Sequence, residues 1–404
     1  MKILVINTGS SSIKYQLFDM DHEKALAIGM AEKIGEETGR LTHKVIVDDG
    51  MPQKKVMDGA IEDHREGLNR ISDLLVDPVL GVIRNKSEIS AVGHRVVHGG
   101  EAFQVPTIID EAVIAEIKKN TPLAPLHNPP NLVGIEVARA IFPGTPQVAV
   151  FDTAFHHTMP RHAYLYALPY DLYQRDGVRR YGFHGTSHAY VSERAAAYLG
   201  RPFGALNLIT IHLGNGASMA AIEKGRCVDT SMGMTPLEGL VMGTRAGDVD
   251  PALPFFLSRH LKMSLDQIDG LLNKQSGLKG ICGTNDMREV LERRKSGDDR
   301  AEAALDIYTY RIKKYIGAYS AVLGNVDAVV FTGGIGENAS IVRELSCHDL
   351  TGLGISIEHE KNYAAGSSIR DISAPGSRVK VLVVPTNEEL KIAQETKKVV
   401  TQCH

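Results

Sequence analysis

No CxxC pair occurs in this 404-residue chain, and its four cysteines, Cys227, Cys282, Cys347 and Cys403, stand far apart. That spacing argues against a zinc site or a disulfide framework and suits a reducing cytoplasm. No apolar run is long enough to span a bilayer. The opening Met1-Lys2-Ile3-Leu4-Val5-Ile6-Asn7 reaches polar residues too soon for a signal peptide, so a cytoplasmic protein without membrane attachment is expected. Net charge is scarce too: 45 Lys and Arg against 48 Asp and Glu leave −3. Such a chain has no general attraction for nucleic acid, and any bound anion must be held by local groups. Neither GxxxxGK[ST] nor GxGxxG occurs, which removes the Walker loop and the dinucleotide fingerprint.

What is present is more specific. At 404 residues the chain exceeds one ordinary core, so two domains are expected. Hydrophobic residues at 43% and charged residues at 23% are those of a soluble globular protein. Two segments look like copies of one turn. Ile3-Leu4-Val5-Ile6 runs into Asn7-Thr8-Gly9-Ser10-Ser11-Ser12, then Ile13-Lys14-Tyr15-Gln16-Leu17-Phe18. Leu208-Ile209-Thr210-Ile211 runs into His212-Leu213-Gly214-Asn215-Gly216-Ala217-Ser218, then Met219-Ala220-Ala221-Ile222. Each reads as an apolar strand, a turn of small residues and a second strand. Glycine tolerates turn conformations closed to other residues. Small residues also let successive N–H groups approach a phosphate. One such hairpin is commonplace; two in opposite halves predict duplicated domains that close on one polyphosphate.

Between the hairpins, Leu41–Val47 reads as a polar strand and Ile61–Leu75 as a helix, with Ile61, Leu68, Ile71 and Leu75 near helical spacing. Ala91–Val97 and Gln147–Phe151 are buried-type strands on either side of a helix near Asp110–Lys119. Pro122, Pro125, Pro129 and Pro130 predict a loop. Asp152 follows a strand directly, where α/β sheets usually hold ligands. Ser187–Leu199 reads as a helix ending at Gly200. Ala301–Leu323 reads as a long helix with Leu305, Tyr308, Ile312, Tyr315 and Tyr319 on a core stripe. The strand Val326–Phe331 leads through Thr332-Gly333-Gly334-Ile335-Gly336-Glu337-Asn338 into a helix. Val379–Val384 is the last strand, and a final helix from Glu388 is expected to return to the first domain.

Hairpin, hairpin, strand–GlyGly–helix is an order that resembles the acetate and sugar kinase, Hsp70 and actin superfamily. Longer strings narrow the resemblance. They are Asn7-Thr8-Gly9-Ser10-Ser11-Ser12-Ile13-Lys14, Gly93-His94-Arg95-Val96-Val97-His98-Gly99-Gly100, Ala124-Pro125-Leu126-His127-Asn128-Pro129 and Phe151-Asp152-Thr153-Ala154-Phe155-His156. They continue with Tyr181-Gly182-Phe183-His184-Gly185-Thr186-Ser187-His188, His212-Leu213-Gly214-Asn215-Gly216, Met242-Gly243-Thr244-Arg245-Ala246-Gly247-Asp248 and Pro385-Thr386-Asn387-Glu388-Glu389. Together, over nearly the whole chain, they resemble the acetate kinase family. The resemblance implies an α/β fold of two duplicated actin-like (ribonuclease H-like) domains with an ATP cleft between them. The expected boundaries are 1–152 with a returning 386–404, and 153–385. It further implies reversible in-line transfer of the ATP γ-phosphoryl group to acetate, giving acetyl phosphate and ADP, with Mg²⁺ or Mn²⁺. A homodimer through the second domain is also implied. Propionate or butyrate kinase is the nearest alternative, and an actin-like or Hsp70-like ATPase or a phosphatase the more distant ones.

Phosphoryl transfer asks for positioning and charge neutralisation more than covalent chemistry. Arg95 and Arg245 lie near glycine in locally uncharged stretches, and an arginine fork matches a carboxylate or a phosphoryl group. The bland alternative for each is a structural ion pair. By resemblance, Arg95 holds the substrate carboxylate and Arg245 stabilises the transition state. His184, between glycines, is placed to donate to a phosphoryl oxygen; His127 belongs near the substrate and His212 beside the phosphates. His98, His156, His157 and His188 are read as ordinary. Asp152 is read as orienting the nucleophile or a metal-bound water, since acetate needs no base. Asn7 and Glu388 offer hard oxygens to Mg²⁺, although Thr386-Asn387-Glu388-Glu389 is also a good helix start. Lys14 can reach phosphate. Resemblance assigns Ser10, Ser12, His212, Leu213, Gly214, Asn215 and Gly216 to the phosphates. It assigns Asp286, Met287, Arg288, Gly334, Ile335, Gly336, Glu337 and Asn338 to the nucleoside side. Asp286 and Arg288 could equally start a helix. The acetate methyl is expected among Val97, Leu126, Phe183 and Pro236. Val97 is read as an extended-strand neighbour of Arg95 whose side chain points the same way.

Overall fold

A computed structural model describes residues 1–47, 53–125 and 127–402, so Leu126 and Cys403 lie outside the described residues. The chain divides into two compact units, Met1–Ala154 with Asn387–His404, and Phe155–Thr386.

The first unit is built on an eight-stranded sheet. Its strands are β1 (Lys2–Thr8), β2 (Ser12–Asp19), β3 (Lys24–Glu32), β4 (Arg40–Val45), β5 (Gln53–Asp58), β6 (Ile89–Val96), β7 (Thr107–Ile108) and β8 (Gln147–Phe151). They lie in the order β5-β4-β3-β2-β1-β6-β8-β7. The meander β1-β2-β3 is antiparallel, and β6 and β8 join β1 in parallel. Strand β1 is apolar on both faces because both are covered. Leu4 and Ile6 pack with α1 (His64–Leu75) and α3 (Asn128–Ile141), while Ile3 and Val5 pack with Ile392, Ala393 and Val400 of the C-terminal helix Glu388–Gln402. Helix α2 (Glu111–Lys119) packs on α3. Asp63 caps α1 by accepting from the Glu66 amide.

The second unit holds a six-stranded sheet: β9 (Asn207–Leu213), β10 (Ala217–Glu223), β11 (Arg226–Thr230), β12 (Ala328–Thr332), β13 (Arg370–Asp371) and β14 (Lys380–Val383). Its order is β11-β10-β9-β12-β14-β13. Again three antiparallel strands come first, then two that join in parallel. Strand for strand, β3-β2-β1-β6-β8 matches β11-β10-β9-β12-β14 in order and sense, which is the duplicated actin-like core. One face carries α4 (Gly185–Tyr198), whose Val191, Ala195 and Ala196 cluster with Leu208, Ile222 and Val330. The long helix Asp299–Leu323 packs against β9 and β10.

Several expectations change. Pro129 and Pro130 do not mark a loop; they occupy the first turn of α3, where a missing N–H leaves no intrahelical acceptor unsatisfied. Pro122 lies in a 3₁₀ turn, Thr121–Leu123. Strand β3, with its sequence KALAIGMAE, was not anticipated. Val97 is not in the strand. It sits at a bend one residue beyond β6, and its amide donates to Asn131 Oδ1 at 3.1 Å. Pleat alternation therefore does not set its direction relative to Arg95.

Candidate active site

In the first unit, three parallel strands deliver side chains at their carboxyl ends. Asn7 is the penultimate residue of β1, Arg95 is near the end of β6, and Asp152 follows β8. Asp152 is fully buried, so its charge must be paired. Arg95 supplies the pair: Nε donates to both carboxylate oxygens at 3.0 and 3.2 Å, and Nη2 to Oδ2 at 2.5 Å. Nη1 points to Asn7 Oδ1 at 3.4 Å. The structural ion pair weighed for Arg95 thus exists, and Nη1 is the nitrogen it leaves over. Burial works against the Arg95 charge, but Asp152 and Glu388 more than offset it and hold its pKa above the ordinary value.

Glu388 opens the C-terminal helix and is half-buried; both its readings, acidic ligand and helix start, remain compatible. Asn387 Oδ1 caps that helix, accepting from the Leu390 amide at 3.0 Å. Burial raises the Glu388 carboxyl well above the carboxylate range; Arg95 opposes this, and Asp152 and Glu389 add to it. Lys14 Nζ lies 3.4 Å from Glu389 Oε1 on an exposed part of β2. Ser10 is exposed and Ser12 half-buried in the first turn, where Gly9 N donates to Ser12 O at 2.8 Å. His64 Nε2 lies 2.8 Å from the Gly9 carbonyl.

Two asparagines, Asn128 of the string Ala124–Pro129 and Asn131 just beyond it, hold this region. Asn131 Nδ2 donates to Thr8 O at 2.7 Å while its Oδ1 takes the Val97 amide. Asn128 exchanges two hydrogen bonds with the His98 backbone. Both lie on the first turn of α3, in a stretch the prolines disguised. His127 immediately precedes that helix.

In the second unit the turn Gly214-Asn215-Gly216 joins β9 to β10. None of Gly9, Gly214 and Gly216 has positive φ, so these glycines are not there for turn conformation. At Gly216 the reason is space. A Cβ there would lie 3.2 Å from His184 Cε1, 3.3 Å from its Nε2 and 3.6 Å from Arg245 Nη1. In the third turn conformation does matter: Gly333 has φ +78°, and a Cβ would meet the Leu213 carbonyl oxygen at 2.7 Å.

His184 adopts a left-handed conformation (φ 56°) just before α4, an uncommon and strained choice for histidine. Its ring stacks on His212 at 4.4 Å between centroids, and its Nδ1 lies 2.9 Å from Ser218 Oγ. His212 Nδ1 lies 2.8 Å from Ser187 Oγ, which is 2.9 Å from Thr386 Oγ1.

Arg245 has no hydrogen-bond or carboxylate partner for its guanidinium among the described residues, and burial lowers its pKa. Its loop is nonetheless fastened. Gly243 N donates to Asn215 O at 2.9 Å, and Ser276 N to Thr244 O at 3.0 Å. Asp248 ties the loop's far end, accepting from Gly239 N at 2.7 Å and from Tyr315 Oη at 2.8 Å. Asp248 ends the stretch Met242–Asp248, and its spacing there carries no sign of that role.

Asn285 Nδ2 reaches Asn215 Oδ1 at 3.0 Å, bringing the Asp286–Arg288 segment beside the second turn. Asp286 caps the helix Met287–Lys295 and pairs with exposed Arg288, so the helix-start reading holds for both. Met287 is buried. Gly333–Asn338 forms a short helix in which Glu337 Oε1 accepts from the Gly333 amide at 3.0 Å and the Thr386 amide at 3.1 Å. Asn338 Nδ2 donates to Gly334 O at 2.9 Å, with Ile335 and Gly336 in the turn between. Phe183 is buried and Pro236 half-buried in this unit, whereas Val97 belongs to the first.

Residues 2–394 match the acetokinase family. The chain is similar to acetate kinase of Nitratidesulfovibrio vulgaris (strain DSM 19637 / Miyazaki F), with 56% identity over 98% of each chain. It is similar to acetate kinase of Thermotoga maritima, with 54% identity over 99% of each. Among solved structures, Porphyromonas gingivalis acetate kinase superposes with a TM-score of 0.93 at 47% identity, covering 99% of both chains. A propionate kinase from Francisella tularensis gives 0.91 at 43% identity, covering 98% of this chain and 99% of that one.

Proposed function

The chain belongs to the acetokinase family, and we infer that it transfers the γ-phosphoryl group of ATP reversibly to acetate, giving acetyl phosphate and ADP. Acetate is taken as the acceptor because the relatives at 54–56% identity over nearly their full length are acetate kinases. The observation that carries the site reading is the meeting of His184 and Arg245 over the bare Cα of Gly216. A donor and a cation with their reacting atoms over a glycine floor suit a group that develops negative charge on its oxygens.

In this reading the acceptor is held by the first unit. Arg95 turns Nη1 to the acetate carboxylate, and Asp152 fixes the fork by occupying its other nitrogens. Acetate is ionised at neutral pH and needs no general base. The second unit holds the donor: the Gly214 amide closes the turn onto the Gly216 carbonyl at 2.9 Å, so the amides of Asn215 and Gly216 are the ones read as facing the phosphates, and Gly334–Asn338 is read as the nucleoside side. Arg245 takes up charge on the transferring group while His184 donates to one of its oxygens, in a direct in-line displacement. A divalent cation fits the first unit's donors. Burial first, then Asp152 and Glu389, push the Glu388 carboxyl up to about 7, a cost that a bound cation would relieve, and Asn7 adds a neutral hard oxygen. Mg²⁺, with Mn²⁺ as substitute, would there neutralise polyphosphate charge.

Incubation with ATP, Mg²⁺, acetate and hydroxylamine tests the reaction, because hydroxylamine traps acetyl phosphate as the hydroxamate. Acetate-dependent hydroxamate is expected. ATP loss without it would replace the kinase by an ATPase.

Substrate size is assigned, on the first unit's side, to Val97. Val97 is buried, β-branched and pinned through its amide, so it cannot swing aside for a longer acyl chain. Val97→Ala should shift the propionate-to-acetate ratio of kcat/KM by about tenfold, the worth of a methylene in an apolar pocket. Equal losses on acetate, propionate and butyrate would make Val97 a packing residue only.

A homodimer through the second unit is supported by α5 (Leu253–Leu261) and α6 (Leu265–Lys274), which pack together. They leave Phe255, Phe256, Leu261 and Leu265 between 53% and 78% exposed. Large apolar side chains so grouped mark an association surface. Phe256→Asp is expected to shift sedimentation from dimer to monomer, and unchanged sedimentation would remove this face from the interface. A cytoplasmic setting agrees with the free, buried thiols of Cys227, Cys282 and Cys347. No helix among the described residues is long and apolar enough to cross a membrane.

A further inference from the structure

Behind His184 three fully buried side chains stand in line. His184 Nδ1 lies 2.9 Å from Ser218 Oγ, and Ser218 Oγ lies 2.8 Å from His188 Nε2. His188 Nδ1 lies 2.7 Å from Thr210 Oγ1. Ser218, His188 and Thr210 are each 0% exposed. The two histidines are four residues apart across the first turn of α4, where the His188 amide donates to the His184 carbonyl at 2.9 Å. Ser218 and Thr210 belong to the paired strands β10 and β9.

We propose that Thr210, His188 and Ser218 form a one-way chain of hydrogen bonds that fixes His184 as its Nε2–H tautomer, the form able to donate to a phosphoryl oxygen. The proposal rests on the reading of His184 given above, and it turns His188 from an ordinary core histidine into a positioning residue.

Direction follows from counting protons. A neutral imidazole carries one N–H and one acceptor nitrogen, and a hydroxyl has a single proton to give. If Thr210 donates to His188 Nδ1, then His188 Nε2–H donates to Ser218 Oγ. Ser218 in turn donates to His184 Nδ1, which leaves the proton of His184 on Nε2. Every proton from Thr210 to His184 Nδ1 then has an acceptor, and the one left over is on His184, whose ring is only half-buried. Run the other way, His184 Nδ1–H donates to Ser218, Ser218 to His188 Nε2, and His188 Nδ1–H to Thr210. The Thr210 hydroxyl proton is then buried without an acceptor among the described residues, the costly condition for a polar group. It also leaves His184 Nε2 as a bare acceptor, useless toward an oxygen that carries negative charge. Burial, with His156 and His212 nearby, keeps His188 neutral as the chain requires. His184 Nε2 is on the ring edge near Gly216 and Arg245, so the fixed proton is presented where the site reading needs it. A structure in which the tautomer is set by the scaffold needs no rearrangement at the moment of transfer.

The test reads the tautomer directly. Long-range ¹H–¹⁵N correlation spectra of ¹⁵N-histidine-labelled enzyme show which nitrogen of each imidazole is protonated, with His184 identified by its loss in His184→Asn. The wild-type enzyme should show His184 protonated on Nε2. Thr210→Val, which keeps shape and removes the hydroxyl, should give a mixed tautomer. Its kcat should fall about tenfold with little change in KM, a fraction of the 10²–10³ that losing a transition-state donor outright costs. Thr210→Ser should restore both. A wild-type His184 protonated on Nδ1, or a Thr210→Val spectrum unchanged from wild type, would overturn the chain. The wild-type spectrum decides even if Thr210→Val does not fold. Full turnover in His184→Asn would instead overturn the catalytic reading of His184, while the spectra still judge the chain.

Discussion

Arg245→Ala is expected to lower kcat about 10³-fold and to leave unfolding stability little changed, or slightly raised. The two halves of that expectation have one cause. Arg245 has no carboxylate or hydrogen-bond partner among the described residues, and burial depresses its pKa. A cation kept part-buried and unpaired costs the folded state free energy, so its removal relieves the fold. The backbone that carries it is secured by other groups, namely Asn215, Ser276 and Asp248, and none of those contacts uses the Arg245 side chain. Its loss should therefore appear in turnover and not in the melting transition. Hydroxamate kinetics and thermal unfolding of the same preparation read both. Near-normal turnover would remove Arg245 from the chemistry, and a large fall in stability would mean that it serves the fold.

The continuous apolar runs made the centre of each sheet legible. Strands β1, β2, β6, β8, β9, β10, β12 and β14 coincide with runs that the composition marks plainly. Elements without such runs were harder. Strand β3 carries Ala, Lys, Glu and Gly, residues with little strand preference, and it is a strand because β2 and β4 pair with it on both sides. Helix α3 was hidden by Pro129 and Pro130, which break a helix in its middle but not in its first turn. The glycine-rich turns were legible as turns, although their purpose was partly misjudged: at Gly216 the missing side chain makes room and does not bend the chain. Least legible were the groups that hold other groups. Asn131, Ser218, Thr210 and Asp248 act through partners tens of residues away, brought alongside by sheet register and helix docking. A single sequence shows the ends of such contacts and not the pairing.

The largest combined effect belongs to Arg95, where stability and activity should fail together and then be separable. Arg95→Ala takes the Arg95 charge away from Asp152, which is fully buried. Breaking one side of a buried pair costs about 3–5 kcal/mol, and the 23% exposure of the Arg95 side chain places this case toward the low end. The same substitution removes Nη1, the nitrogen assigned to the acetate carboxylate, so KM for acetate should rise and kcat fall. A single variant cannot divide these causes, because a destabilised enzyme also loses turnover. The double variant Arg95→Ala/Asp152→Asn can. Replacing the Asp152 carboxylate with a neutral amide of the same shape removes the buried charge, so most of the lost stability should return. Activity should not, since neither the fork nor the acid that orients it is present. Urea unfolding gives the first quantity and hydroxamate kinetics over a range of acetate the second. Recovery of both in the double variant would reduce Arg95 to a structural partner of Asp152. Stability without turnover would show that the pair is retained for the substrate, since the fold itself can do without the charge.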